Sequence, residues 1–156
     1  MEKGGRGWRG WESSDDRVTL AGNRGGIPQT PHLMLRSYRE LDVWKRSLAL
    51  VVDAYCVTRK LPSDERFGLT SQMRRAAVSV SCNIAEGYGR ATRGEYLNHL
   101  SVARGSLFEV EALCEVCHAL ELLTHDDTAS ISGHLLHMRR MLRGLKSALK
   151  KGRRGR

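Results

Sequence analysis

A chain of 156 residues, 28% charged and 40% hydrophobic, is long enough for one domain with a modest core. No apolar run approaches the roughly 20 residues of a membrane span, and MEKGGRGWRGWESSDD has no apolar stretch after its basic residues, so neither a spanning segment nor a secretory leader is expected. The net charge of +9 is unevenly placed: Arg139, Arg140, Arg143, Lys146, Lys150, Lys151, Arg153, Arg154 and Arg156 occur within residues 139–156 with no acid, so everything before them sums to zero.

Residues 1–37 are rich in Gly, Arg, Ser and Asp, and Pro28 and Pro31 break any helix. A disordered extension is expected there. Helical periodicity begins at Leu41, and Leu41, Trp44, Leu48, Val51, Val52 and Tyr55 step by threes and fours along one predicted face, with Val43 and Leu50 toward its flanks. Pro62 ends this pattern. The second helix is predicted to start after Thr70 as N-cap. It turns Met73, Ala76, Ala77, Val80 and Ile84 inward and holds Arg74 and Arg75 off centre. The small residues Ala76, Ala77, Ser79 and Ser81 permit close helix approach, and Cys56 and Cys82 read as core or near-core positions.

The stretch NIAEGYGR then interrupts the pattern. Gly87 and Gly89 are read as helix-ending residues, with a positive φ expected at Gly87. Asn83 and Glu86 are expected to fix that helix end through backbone groups. TRGE has the form of a capping box, Thr92 as N-cap and Glu95 three residues on, so a third helix starts at Arg93. It repeats Tyr96, Leu100, Ala103, Leu107, Val110, Cys114 and Cys117, places Leu97 and Leu113 on its flanks, and runs out near Leu123. THDD opens a fourth helix with the stripe Ile131, Leu135, Met138, Leu142, Leu145 and Leu149. Steps alternating four and three are the seam of a bundle. The predicted fold is therefore all-α: an antiparallel up-down four-helix bundle over residues 38–150, with the disordered extension 1–37 before it and a basic tail 151–156 after it.

Three kinds of chemistry are weighed and set aside. A phosphate loop in EGYGRATRG requires a preceding strand, but a helix precedes it, and no GK[ST] follows. Cys114, Cys117, His134 and His137 have zinc-like spacing, but His137 points away from the apolar stripe of its helix while Cys114 points into the core. A di-iron bundle needs two Glu-x-x-His pairs, and only Glu115 to His118 provides one. The remaining acids read as a solvated face or as partners for Arg74, Arg75 and Arg104. No metal, cofactor or enzymatic activity is expected. Four cysteines without a disulfide framework fit a reducing compartment, hence the cytoplasm.

The blocks LDVWKRSLALVVDAY, FGLTSQMRRAAVSVSCNIAEGYGR and EYLNHLSVARGSLFEVE resemble the 23S rRNA intervening-sequence protein family, also called the four-helix bundle protein family. The resemblance spans about residues 38–149. It is most specific at Gln72, Arg74, Arg75, Ala76, Ala77, Ser79, Asn83, Ile84, Ala85, Glu86, Gly87, Gly89 and Arg90, and again at Gly105, Ser106, Leu107, Glu109 and Glu111. Ser81 departs from a frequent proline. The resemblance implies a non-enzymatic bundle assembled as a ring-like homopentamer. It also implies similarity to the accessory variability protein of diversity-generating retroelements, a basic pentamer that binds nucleic acid and a reverse transcriptase.

Two functions follow as expectations. One is a nucleic-acid-binding oligomer that contacts backbone phosphates through Arg139, Arg140, Arg143, Lys146, Lys150 and Lys151, extended by Arg74, Arg75, Arg90 and Arg93. On the fourth helix, Arg139, Arg143, Lys146 and Lys150 are placed opposite the apolar stripe, facing solvent. The other is a protein-interaction scaffold that docks a partner enzyme such as a reverse transcriptase.

Overall fold

The computed structural model describes residues 36–151, which hold four α-helices and no strand among them. They are α1 (Asp42–Val57), α2 (Leu69–Tyr88), α3 (Arg93–Ala119) and α4 (His125–Lys151), with single 3₁₀ turns at Tyr38–Glu40, Thr58–Lys60 and Ser63–Arg66. Most of the expected extension 1–37, and residues 152–156 of the expected tail, lie outside the described residues. Each helix borders its neighbours in sequence, and α4 closes on α1. Cross-helix contacts set the directions. Arg74 of α2 reaches Thr58 at the end of α1, Ser79 of α2 meets Ser106 of α3, Lys146 of α4 meets Ser101 of α3, and Asp53 of α1 meets His134 of α4. All four neighbouring pairs are antiparallel, which is the up-down bundle expected of four amphipathic helices with short connections.

The apolar stripes of α2, α3 and α4 are buried as their periodicity predicts, with Met73, Ile84, Leu100, Leu107, Met138 and Leu142 fully enclosed. The face of α1 is different. Val43, Ser47, Leu50, Ala54 and Val57 are buried, while Leu48, Val52 and Tyr55 are 41%, 59% and 40% exposed. The helix is turned by one residue, about 100°, from the face its apolar side chains suggest. The physical reason is that the buried stripe contains a serine and an alanine. Ser47 Oγ donates to the Trp44 carbonyl at 2.6 Å, so the hydroxyl is satisfied inside the core. Val43 and Leu50 are thus core rather than flank, and so is Leu113 of α3. Cys56 and Cys82 are exposed, not core or near-core.

The helix ends also refine the sequence reading. Helix α2 starts at Leu69 behind Gly68, two residues earlier than a Thr70 cap would give. Glu65 supplies the cap instead, its carboxylate accepting from the Leu69 N–H at 3.0 Å. The Thr92–Glu95 capping box forms as predicted. A second reciprocal pair opens α4: the Asp127 carboxylate accepts from the Thr124 N–H at 2.8 Å, and the Asp127 N–H donates to Thr124 Oγ1 at 3.2 Å. At the other end of that turn α3 stops at Ala119, short of Leu123. Glu121 takes φ 56°, and the Leu122 N–H bonds back to the Cys117 carbonyl at 2.9 Å, a reversal that tucks Leu123 into the core.

Candidate nucleic-acid interface

The NIAEG block forms a polar seam between α2 and α3. Ser79 Oγ lies 2.9 Å from Ser106 Oγ, and Asn83 Nδ2 donates to the Ser79 carbonyl at 2.9 Å. Asn83 Oδ1 lies 3.2 Å from His99 Nδ1, and Arg90 Nε donates to His99 Nε2 at 3.0 Å. A guanidinium only donates, so Nε2 accepts and Nδ1 carries the proton toward Asn83. The Glu86 carboxylate stands 3.6 Å from the same Nδ1. Asn83 and Glu86 therefore tie helix to helix, where the sequence reading had them fixing the helix end.

Of the two glycines, Gly89 ends α2 as read from the sequence, and the reading of Gly87 is corrected. Gly89 is the C-cap at φ −79°, right-handed. Gly87 is inside α2, and a Cβ there would meet Tyr96 Cδ2 at 2.7 Å and His99 Cβ at 2.9 Å. Space, not a positive φ, requires glycine. The block joins α2 to α3.

The cations divide into two groups. Several are committed to intramolecular partners. Arg139 pairs with Glu111 and lies over the Phe108 ring, 4.5 Å from its centroid. Lys146 Nζ donates to Ser101 Oγ at 2.7 Å. Arg74 donates from Nε to Thr58 Oγ1 at 2.8 Å and covers the Tyr55 ring at 4.6 Å. Arg90 holds His99, and Arg93 is half-buried. The placement of Arg139 and Lys146 opposite the α4 stripe is thus overturned. At about 100° per residue they sit roughly 60–80° from its centre, on the edge facing α3. The other group, Arg75, Arg140, Arg143, Lys150 and Lys151, is exposed.

Charge is segregated along the bundle. The level of the Ser79–Ser106 contact divides it into two halves. The half holding the α2–α3 turn and the last turns of α4 gathers eleven basic side chains, Arg36, Arg39, Lys45, Arg46, Arg90, Arg93, Arg104, Arg143, Lys146, Lys150 and Lys151, against Glu40, Asp42, Glu86 and Glu95. The opposite half of the described chain holds seven basic and nine acidic residues. Burial, then the nearby Arg104 and Lys150, holds the Lys146 ammonium below its ordinary range. Arg104 is the cation the sequence reading assigned to acids instead. The register of the α3–α4 hairpin was the signal that could have found it. Arg153, Arg154 and Arg156 follow in sequence from this same end.

Other chemistry is poorly served. Asp53 binds both Ser130 and His134, the latter at 3.1 Å. These are a hydrolase's residue types in the wrong order, because the serine bonds the acid and not the imidazole. Cys114 and Cys117 are buried, and burial pushes the Cys114 thiol up to about 12, far from a metal-binding thiolate. His134 is engaged with α1 and His137 is exposed, so the zinc-like spacing is not assembled. Among the described residues no three His, Cys, Asp or Glu side chains cluster to hold a metal ion, and no helix is long and apolar enough to cross a membrane.

Comparison with known proteins agrees with the fold. The model of the family described as 23S rRNA-intervening sequence protein matches residues 39–144. A crystal structure at 1.70 Å of a protein of unknown function from the S23 ribosomal protein family of Bacteroides thetaiotaomicron VPI-5482 is similar, with a TM-score of 0.62 and 23% identity over 67% of this chain and 95% of that one. At that identity the likeness concerns the fold alone. No curated protein matches. The chain belongs to the 23S rRNA-intervening sequence protein family.

Proposed function

We propose that this member of the 23S rRNA-intervening sequence protein family is a non-enzymatic, cytoplasmic, oligomeric bundle that binds the phosphate backbone of RNA or DNA through its basic end. The observation that carries the reading is the charge segregation, eleven cations against four acids in one half. Phosphate contacts of this kind release counterions and are largely indifferent to sequence. Arg104, Arg143, Lys146, Lys150 and Lys151 are the contact residues. Arg139, already paired with Glu111, is not a contact residue of the basic end. Self-association, as the homopentamer that the family resemblance implies, would repeat the basic end around the assembly and add weak contacts through multivalency.

Fluorescence anisotropy with labelled RNA and DNA across a salt series tests this. Micromolar binding that weakens steeply with salt is expected. Changing Arg104, Arg143, Lys146, Lys150 and Lys151 together to Gln should abolish most of it while the circular-dichroism melt is retained. Undiminished binding by that variant at low salt would sink the proposal.

A second reading, a scaffold docking a partner enzyme such as a reverse transcriptase, is favoured by one observation. Leu48, Val52 and Tyr55 form an exposed apolar stripe on the outer face of α1. Pulldown from extract with and without nuclease separates the two readings, because capture through nucleic acid is lost on digestion and capture through an apolar face survives.

A further inference from the structure

An open concavity of about 580 Å³ lies where the end of α1, the Ser63–Arg66 turn and the first turns of α2 meet. Tyr55, Arg66, Phe67, Ser71, Arg74 and Arg75 are among its lining residues, and no acid lines it. The groove is in the half of the molecule that is otherwise net acidic, so it is separate from the basic end.

Its parts are arranged for a particular class of ligand. Phe67 is 87% exposed, a large ring presented at the lip, with the Arg66 guanidinium 5.5 Å from its centroid. Arg74 is held in place: its Nε donates to Thr58 Oγ1 at 2.8 Å, and that hydroxyl donates to the Ala54 carbonyl at 2.7 Å. The Nε bond leaves the two Nη amino groups as donors. Neither Arg66 nor Arg75 is in an ion pair among the described residues. Glu65, the adjacent acid, turns its carboxylate to the Leu69 N–H at 3.0 Å. An exposed ring, guanidinium groups and a serine hydroxyl together suit a ligand that is planar, aromatic and anionic. A nucleobase carrying a phosphate has these properties. Duplexes keep their bases stacked inside, so only an unpaired nucleotide can offer its face.

We propose that this groove holds an unpaired nucleotide of a single-stranded nucleic acid, the base stacked on Phe67 and the phosphate on Arg74 and Arg75. The inference rests on the nucleic-acid reading above and adds a base-stacking site to it. The surface would then have two parts: a basic end that holds any backbone, and a groove that selects single strands.

The test uses the full chain with a 12-nucleotide RNA, the DNA of the same sequence and the corresponding duplex. Phe67→Ala removes an exposed ring and should leave the fold intact. It should weaken single-strand binding about 5- to 150-fold, the range for loss of one stacked base, while duplex affinity and the salt slope stay unchanged. Arg75→Gln should lower the single-strand salt slope by about one. Photocrosslinks from 4-thiouridine in the RNA should map to Phe67 or Tyr55. Equal effects of Phe67→Ala on single strands and duplex, no effect on either, or crosslinks confined to other surfaces would overturn the groove. If Phe67→Ala is silent while the basic-end variant loses the duplex, the groove fails and the basic end stands. If single strands need Phe67 but the basic-end charges are dispensable, the reverse holds. Comparing the RNA with the DNA arm shows whether the sugar is read as well.

Discussion

Single positions separate steric from conformational demands in this fold. Gly87 is helical, and an added Cβ would press within 3.0 Å of Tyr96 and His99, so Gly87→Ala should destabilise by about 1–3 kcal/mol through overpacking. Gly105 is also helical, but a Cβ there meets nothing within 4 Å, so Gly105→Ala should stabilise by up to about 1 kcal/mol. Opposite shifts in denaturant midpoint would establish the contrast; like shifts would refute it. Glu121 at φ 56° is the reverse case, and Glu121→Gly should raise the midpoint by relieving about 1 kcal/mol. His134 adds a pH dependence. Burial holds its imidazole below the ordinary 6.5, with Asp53 pulling the other way. Its Nε2 faces Asp53, and its Nδ1 is buried without a partner. The unfolded chain therefore binds the proton first as pH falls. This contribution is intact above pH 6.5 and drains away below it. A His134→Gln variant, which can still donate to Asp53, should show a flatter stability profile in that window, and an unaltered slope would assign the acid sensitivity elsewhere.

Helices were legible in the sequence to the extent that their buried faces are apolar. The stripes of α2, α3 and α4 consist almost wholly of Leu, Ile, Val, Met, Ala and Cys, and a period of 3.6 found them. Helix α1 hides its inward face behind Ser47 and Ala54, while Leu48, Val52 and Tyr55 point out. Hydrophobicity alone then favours the neighbouring stripe, and only packing against α2 and α4 decides the phase. The two faces can be told apart by mutation. Leu50→Ala should cost about 2–5 kcal/mol as a core truncation, whereas Val52→Ala should shift the midpoint of the isolated subunit by less than about 0.5 kcal/mol. Of the candidate site, the run of cations along α4 was visible because charge needs no folding to be counted. The commitments of Arg139 to Glu111 and of Lys146 to Ser101 were not, because they depend on how α3 and α4 are registered. The groove beside Phe67 was equally hidden, since its aromatic and guanidinium groups come from three separate elements.

On the scale of the whole molecule, the charge imbalance and the exposed apolar stripe of α1 bear on each other. A +9 chain repels its copies unless apolar contact offsets the repulsion, and salt weakens that repulsion as it weakens nucleic-acid binding. Leu48 and Val52 lie at helical spacing on the outer face of α1, where a neighbouring subunit could cover them without disturbing the core. A charge placed there should therefore separate assembly from folding. Light scattering of the parent should give a mass near five times 17.5 kDa, and Val52→Asp should bring it down toward one subunit while the helical circular-dichroism signal is kept. Because each subunit brings one basic end, the dissociated variant should also bind long RNA about 100-fold or more weaker than the parent, yet bind an oligonucleotide short enough for one subunit equally well. A monomeric parent would refute the assembly outright. A Val52→Asp variant that stays oligomeric would move the interface away from α1, and one that loses short and long RNA alike would show that binding does not depend on repetition.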